Sequence, residues 1–598
     1  MLKLSLRGSR HAGRLLTIGA AATMVVCGAS DALAAGARGG MQCDSRMTQR
    51  AFGRDDLVTV LLIREFKKGD ALILSGTPTA NTPTAQNDIC LVKLVVGPGN
   101  AGPAGAPSTS PGIGIEAWLP TPENWNKRVH NLGGGGWQGG SHTSTTAIAN
   151  TATAAVAGVE GAVSSQTDTG HSIGNGSFAM NPDGTINQAL WNDFSDRSLH
   201  EQAERSKALA KAYYGEPPRY SYWEGGSTGG RQGLKLIQAH PRDYDGLIAN
   251  YPAINWSKFI TAELYPQIVY QRDLGGVPLT SAQQSSMGNA AIAVCGNVGG
   301  QNLGYILDPT TCTYDPRKDA NVLCSGVAGI GVTGTNATTA CVNLAQATAM
   351  NKIWYGQTDD GSAPDPTVDN GFALEPTGLQ RWYGLSRGTN PSGLAGNSPF
   401  PIATDQVALE LQNPRIATPS FINATSNGMN EWMSLSYLQL SSAFYTGIAL
   451  QPEFANINTD DPNLSMFERV GGKAITWHGL NDTLIPFPGT INYYNKVIHQ
   501  MGGSLPRVQN FWKLYLVSGA GHGTANGTSN PNANPPAVAA GQLYALLTAW
   551  VENGVAPGRI DLQTPAGMPA KSRPICVYPQ KARYVSGDPN VSASWTCS

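Results

Sequence analysis

The segment Tyr222-Trp223-Glu224-Gly225-Gly226-Ser227-Thr228-Gly229-Gly230-Arg231-Gln232 sets a Gly-x-Ser-x-Gly pattern between a strand-like run and a helix-like run. A turn this sharp holds its serine in strained backbone angles and lifts the hydroxyl above a sheet edge. Small neighbours are needed where strand and helix approach. The pattern reads as a nucleophile elbow with Ser227 at its tip. Glycine-rich turns around serine are common, so the reading depends on whether the rest of the chain supplies what such a serine needs.

The chain has 598 residues, a formal net charge of -1 and 14% charged residues. That balance excludes a nucleic-acid binder driven by basic charge, and the length allows a large core with more than one domain or a large insertion. Lys3, Arg7, Arg10 and Arg14 precede an apolar run from Leu15 to Ala29, followed by Ala32-Leu33-Ala34. Residues 1–34 therefore read as a secretory signal cleaved after Ala34. The run is too short for a membrane anchor, and Val25-Val26 before Cys27 does not suit a lipoprotein site. Without the signal, eight cysteines remain, and an even count in an exported chain implies disulfides. Spacing suggests local pairs, Cys43 with Cys90, Cys295 with Cys312, Cys324 with Cys341 and Cys576 with Cys597, although spacing does not decide connectivity. Zinc competes poorly, because no C-x-x-C pair or suitably spaced histidine is present.

Strand-like runs at Val58–Ile63, Ile89–Val96, Gly114–Leu119, Arg128–Leu132 and Ala162–Ser165 lead to a helix-like Asp196–Tyr214 and then the elbow. Between about Asn255 and Met466 the texture shifts to Asn, Thr, Pro and Gly with four cysteines. The α/β rhythm then returns at Ala474–His478, with helix-like Thr490–Met501, strand Phe511–Val517 and an amphipathic helix over Ala537–Glu552. The expected fold is α/β, with hydrolase segments at 35–254 and 467–598 around an inserted domain at 255–466.

An activated serine needs a base, and the base needs an orienting group. Asp482 falls in the loop after the Ala474–His478 strand, and His522 falls just after Phe511–Val517. The order serine, acid, histidine at strand ends is that of doubly wound hydrolases. His478 is a weaker base candidate because it ends its strand. Asp168 and His171 precede the elbow and suit a bracing role, while His130, His142, His200, His240 and His499 have no comparable loop context. Oxyanion donors are expected from the amide of Thr228, which follows the nucleophile, and from the run Gly133–Gly136, with Gly133 as the donor.

With these pieces assembled, the chain resembles the tannase and feruloyl esterase family, which also includes hydrolases of terephthalate monoesters. The likeness runs from Cys43 to Cys597. It is carried by Trp125-Asn126-Lys127-Arg128, Thr167-Asp168-Thr169-Gly170-His171, the elbow, His240-Pro241, His478-Gly479-Leu480-Asn481-Asp482 and Arg573-Pro574-Ile575-Cys576. It implies an α/β-hydrolase fold, Ser227, Asp482 and His522 as the triad, Gly133 and Thr228 as the oxyanion hole, and the insertion as a lid over an aromatic acyl group. In the family, paired cysteines directly precede the serine and follow the histidine; here those positions are Gly226 and Gly523, and cysteines restored at both would be expected to pair. Family members also bind calcium through aspartates in a cysteine-bounded loop. The loop Cys295–Cys312 has only Asp308, so no metal is expected.

The reading is a secreted carboxylic ester hydrolase without cofactor, acting on small-molecule or oligomeric esters of aromatic acids, with no nucleic-acid partner and no membrane anchor. Two rivals stay open. One is the same triad acting on aliphatic or polyester-derived oligomers, and the other is a secreted ligand-binding protein that kept the fold and lost turnover.

Overall fold

The computed structural model describes residues 41–598, so the expected signal at 1–34 lies outside the described residues. Two sheets form its frame. Strands β1 (Val58–Phe66), β2 (Ile89–Val96), β3 (Ile113–Pro120) and β5 (Ser164–Thr167) make an antiparallel sheet in the order β1-β2-β3-β5. Strands β4 (Arg128–Leu132), β6 (Tyr220–Gly226), β7 (Gly246–Asn250), β8 (Lys473–Gly479) and β9 (Trp512–Val517) make a parallel sheet in the order β9-β8-β7-β6-β4. A parallel bridge between Val129 and Val163 joins the two.

The parallel strands are buried along most of their length because helices cover both faces. Successive residues go to opposite sides. Trp223, Leu247 and Leu514 enter a core with Tyr493 and Val497, whereas Tyr222, Ile248 and Tyr515 enter one with Leu547 and Trp550. The covering helices are α1 (Ser198–Tyr214), α2 (Thr228–Ala239), α7 (Pro488–Gln500) and α8 (Gln542–Asn553). α8 starts later than the expected Ala537. Ala537 instead pairs with Gln563, and Gly541, at φ 72°, sets the helix start.

The insertion carries α3 (Trp256–Glu263), α4 (Tyr265–Asp273), α5 (Pro401–Glu410) and α6 (Tyr437–Ala449). Trp256, Phe259, Val407 and Phe444 share one core with Trp137, Phe178, Trp191 and Phe194 from the first hydrolase segment. That shared core joins the segment 255–466 to the segment before the elbow, and residues 41–598 form one compact unit. The four disulfides form as the spacing suggests, with Cα separations of 5.7, 5.7, 4.7 and 5.6 Å. Among the described residues, no helix is long and apolar enough to cross a membrane.

Candidate active site

Neighbouring strands of the parallel sheet lead into the candidate residues. Ser227 follows β6, Tyr251 follows β7, Asp482 follows β8 and His522 follows β9. Open α/β sheets build their sites at this carboxyl edge because strand ends are rigid while the loops beyond them vary.

Ser227 sits at φ 58°, ψ -122°, between the last residue of β6 and the first of α2. A side chain in that region is strained, and the surroundings over-determine it. The Ser227 amide donates to Asn250 O at 3.1 Å, while its carbonyl accepts from Ala253 N at 2.9 Å and Arg231 N at 3.0 Å. The close crossing also explains Gly225, where a Cβ would lie 2.5 Å from the Gly229 backbone. Arg231, buried in α2, donates to the carbonyls of Ser195 and Phe194 at 3.0 and 3.1 Å, and burial lowers its pKa to about 9.

His522 and Asp482 are brought together. His522 Nδ1 lies 3.1 Å from both Asp482 oxygens. Asp482 Oδ1 also accepts from the amides of Leu484 and Ile485, each at 2.9 Å, and the opposite oxygen faces His478 Nε2 at 3.2 Å. Burial works to raise the Asp482 pKa, but the charge of His522 and the hydrogen bonds from His478 and His522 outweigh it. The carboxyl is held well below its usual range and stays ionised. With Nδ1–H given to Asp482, the Nε2 of His522 is the basic nitrogen.

His478 is not placed as a base. It is fully buried, with Nδ1 on Thr490 Oγ1 at 2.9 Å and Nε2 on Ile485 O at 3.1 Å, so both nitrogens are engaged. His171 lies with Nε2 2.9 Å from Trp137 O and its ring stacked on Phe178, while Asp168 accepts from the amides of Gly114 and Gly170. His171 thus braces the segment that follows the glycine run, while Asp168 ties its own turn to β3. Burial disfavours charge on His130, yet Glu160 at 2.7 Å and Glu224 at 3.5 Å outweigh it and push its pKa up to about 9.

The glycine run approaches the elbow, and Thr228 Oγ1 donates to Gly136 O at 2.8 Å. Gly133, however, is not the donor expected of it. Its N–H continues the parallel ladder to Glu224 O at 2.9 Å and so points into the sheet. The next two amides project out of the sheet and meet side chains, Gly134 N donating to Gln232 Oε1 and Gly135 N to Gln138 Oε1, each at 2.9 Å. Ile402 of α5 reaches the run, since a methyl on Gly136 would lie 3.2 Å from its Cδ1.

The segment 255–466 is stitched to the loops that carry Asp482 and His522. Ser386 Oγ donates to Leu480 O at 2.8 Å, Asn481 Nδ2 to Thr389 Oγ1 at 2.9 Å, and Ser529 N to Gly388 O at 2.8 Å. No sequence signal marks Ser386, Gly388 and Thr389 as partners of these loops, because the contacts span about a hundred residues or more.

Two possible cation positions do not fit a metal. Asp308 Oδ1 caps Thr310 N and Oγ1 at 3.1 and 2.5 Å, and its Oδ2 pairs with Lys581 Nζ at 2.6 Å, so the lone carboxylate in the Cys295–Cys312 loop is already neutralised. Hard cations need several oxygen ligands. His200, His240 and Asp243 also cluster, but the two imidazoles stack 4.4 Å apart at 13°, and lone pairs in nearly parallel planes cannot converge on one ion. Each imidazole instead faces a carboxylate, His200 with Asp243 at 2.8 Å and His240 with Asp196 at 2.5 Å. A cavity of about 790 Å³ opens between Phe372, Phe487, Tyr578 and Arg583, and none of Ser227, Asp482 or His522 lines it.

The family model for tannase and feruloyl esterase matches residues 101–598. Over 531 residues, 87% of this chain and 88% of the relative, the sequence is 30% identical to a probable feruloyl esterase of Arthroderma benhamiae. Over 539 residues, 81% of each chain, it is 26% identical to the mono(2-hydroxyethyl) terephthalate hydrolase of Piscinibacter sakaiensis. The fold matches feruloyl esterase B from Aspergillus oryzae at a TM-score of 0.70 and 24% identity, covering 93% of this chain and 99% of that one. It matches the tannin acyl hydrolase of Aspergillus niger at 0.66 and 21% identity, covering 93% and 95%. With the α/β-hydrolase frame and the matched span, the chain belongs to the tannase and feruloyl esterase family of carboxylic ester hydrolases.

Proposed function

We propose that the protein is an exported serine esterase that cleaves esters of aromatic acids through an acyl-serine intermediate. The observation that carries this reading is the grip of Asp482 on His522 Nδ1 at the sheet edge that also presents Ser227. His522 Nε2 takes the proton from Ser227 as its oxygen attacks the ester carbonyl, then gives that proton to the departing alcohol. Asp482 fixes the tautomer and stabilises the imidazolium. Water repeats the sequence on the acyl-enzyme and releases the acid. Charge on the former carbonyl oxygen is met by the amide of Thr228, which opens α2, and by amides of the segment Gly134–Gly135. Their present acceptors are the side chains of Gln232 and Gln138, which an oxyanion can displace. The disulfides suit an oxidising compartment, as does the signal read from the first 34 residues.

Ser227→Ala is expected to remove turnover of a nitrophenyl ester by orders of magnitude while leaving the melting temperature unchanged, since one oxygen is lost. A variant retaining the parent's kcat would end the assignment. A panel of hydroxycinnamate, gallate, terephthalate and short aliphatic esters then tests the acyl preference. Higher kcat/KM on the aliphatic members would overturn the aromatic reading and leave the serine mechanism standing.

A further inference from the structure

Tyr251 follows β7, the strand between the one that carries Ser227 and the one that carries Asp482. Its ring meets His522 edge to face, with centroids 4.9 Å apart at 62°, and rests against Trp477 at 5.1 Å and 76°. It also fills the gap between two loops. A Cβ on Gly226 would lie 2.4 Å from the Tyr251 ring, and one on Gly523 would lie 2.8 Å from the hydroxyl oxygen. Glycine at both positions is what makes room for the ring.

The backbone at Tyr251 carries φ 32°, a region that favours glycine, and Pro252 follows it. The conformation is locked by the Tyr251 N–H, which donates to Trp477 O at 2.7 Å. An aromatic side chain thus stands where the main chain would prefer none. Among the described residues its hydroxyl makes no hydrogen bond, so the ring itself is what the position supplies. His522 is held by Asp482 through Nδ1 alone, which anchors one corner of the imidazole and leaves its swing about that corner free. We propose that Tyr251 is a positioning residue, a wedge between the nucleophile elbow and the histidine loop that removes this freedom and keeps the imidazole aimed at Ser227. Cysteines at 226 and 523 therefore have no room to pair while Tyr251 is present, contrary to what the sequence alone suggests.

The proposal rests on the triad proposed above, and the full chain tests it with nitrophenyl acetate as substrate. Tyr251→Phe should keep kcat within about twofold, because the ring remains. Tyr251→Gly suits the local backbone and should lower kcat by about ten- to a hundredfold with KM nearly unchanged, the signature of a misaimed base. If circular dichroism shows that this variant is not folded, Tyr251→Leu replaces it with the same expected split. Gly226→Cys with Gly523→Cys should leave two free thiols, whereas adding Tyr251→Gly should let them pair and restore kcat. A mild reductant should remove that gain without changing wild type or Tyr251→Gly alone. A wild-type kcat in Tyr251→Gly overturns the wedge, as does pairing of the cysteines regardless of Tyr251, pairing in neither background, or a paired triple variant that stays slow. Ser227→Ala run in parallel separates the cases: if it is active, the triad is wrong, and if it is inactive while Tyr251→Gly is unimpaired, only the positioning role fails.

Discussion

Asp482 shows how one residue's surroundings decide its chemistry. Its carboxylate is buried, accepts from two amides of its own loop and lies between two imidazoles, of which His478 has both nitrogens engaged and His522 keeps Nε2 free to work. Asp482→Asn keeps the shape but can offer its NH₂ to His522, which favours the wrong tautomer. The expected loss in kcat is about 10⁴-fold with little change in KM, the size such a tautomer error produces in other serine hydrolases. Steady-state kinetics on an aromatic ester checks it, and a loss below tenfold would mean that Asp482 does not orient the base. The positions of Ser227, Asp482 and His522 were legible in the chain because each follows a strand in the required order. The role of the Gly133 amide was not, because a glycine run does not reveal which N–H continues the ladder and which leaves it.

At the scale of elements, β2 is buried along its whole length, yet it contains Lys93. Lys93 sits directly across from Glu116 of β3, with Nζ 3.0 Å from the carboxylate, and both side chains are buried. The ammonium also donates to the carbonyls of Ser141, Ser144 and Ala147, and Glu116 accepts from the amides of Ala149 and Asn150. The pair thus pins the segment that follows the glycine run to the antiparallel sheet. Removing one partner leaves a buried uncompensated charge, so Lys93→Met should destabilise by about 3–5 kcal/mol. Lys93→Met with Glu116→Leu should recover much of that loss. Urea midpoints of the three proteins test this, and a single variant as stable as the parent would show the pair to be dispensable. Apolar runs identified β2 and β3 as strands, but the register that sets Lys93 against Glu116 is a property of the folded sheet.

At the scale of the whole molecule, the segment 255–466 and the segments on either side of it hold each other through the shared core and the contacts of Ser386, Gly388 and Thr389 with the loops that carry Asp482 and His522. Lys581, close to the C-terminus, reaches Asp308 in the insertion and supplies the positive charge at that loop. Chelation should therefore leave the thermal midpoint unchanged, since a tight calcium site needs several oxygen ligands that this loop does not offer. A large fall with EDTA, reversed by added calcium, would place ligands elsewhere in the chain.

The amino-acid sequence alone carried the α/β alternation, the elbow and the order of Ser227, Asp482 and His522 at strand ends, and its spacing suggested the local cysteine pairs that the fold then joined. Each of these depends on residues near one another in the chain, where periodicity and turn chemistry act directly. The tertiary structure alone decided what lies between those positions. Tyr251 follows a strand whose sequence neighbours give no sign of catalysis, and strand order sets its ring beside both Gly226 and His522. Three-dimensional neighbours far apart in sequence leave no periodic trace in a single chain, so the wedge, the spent Gly133 amide and the contacts of Ser386, Gly388 and Thr389 become visible only once the sheet is assembled.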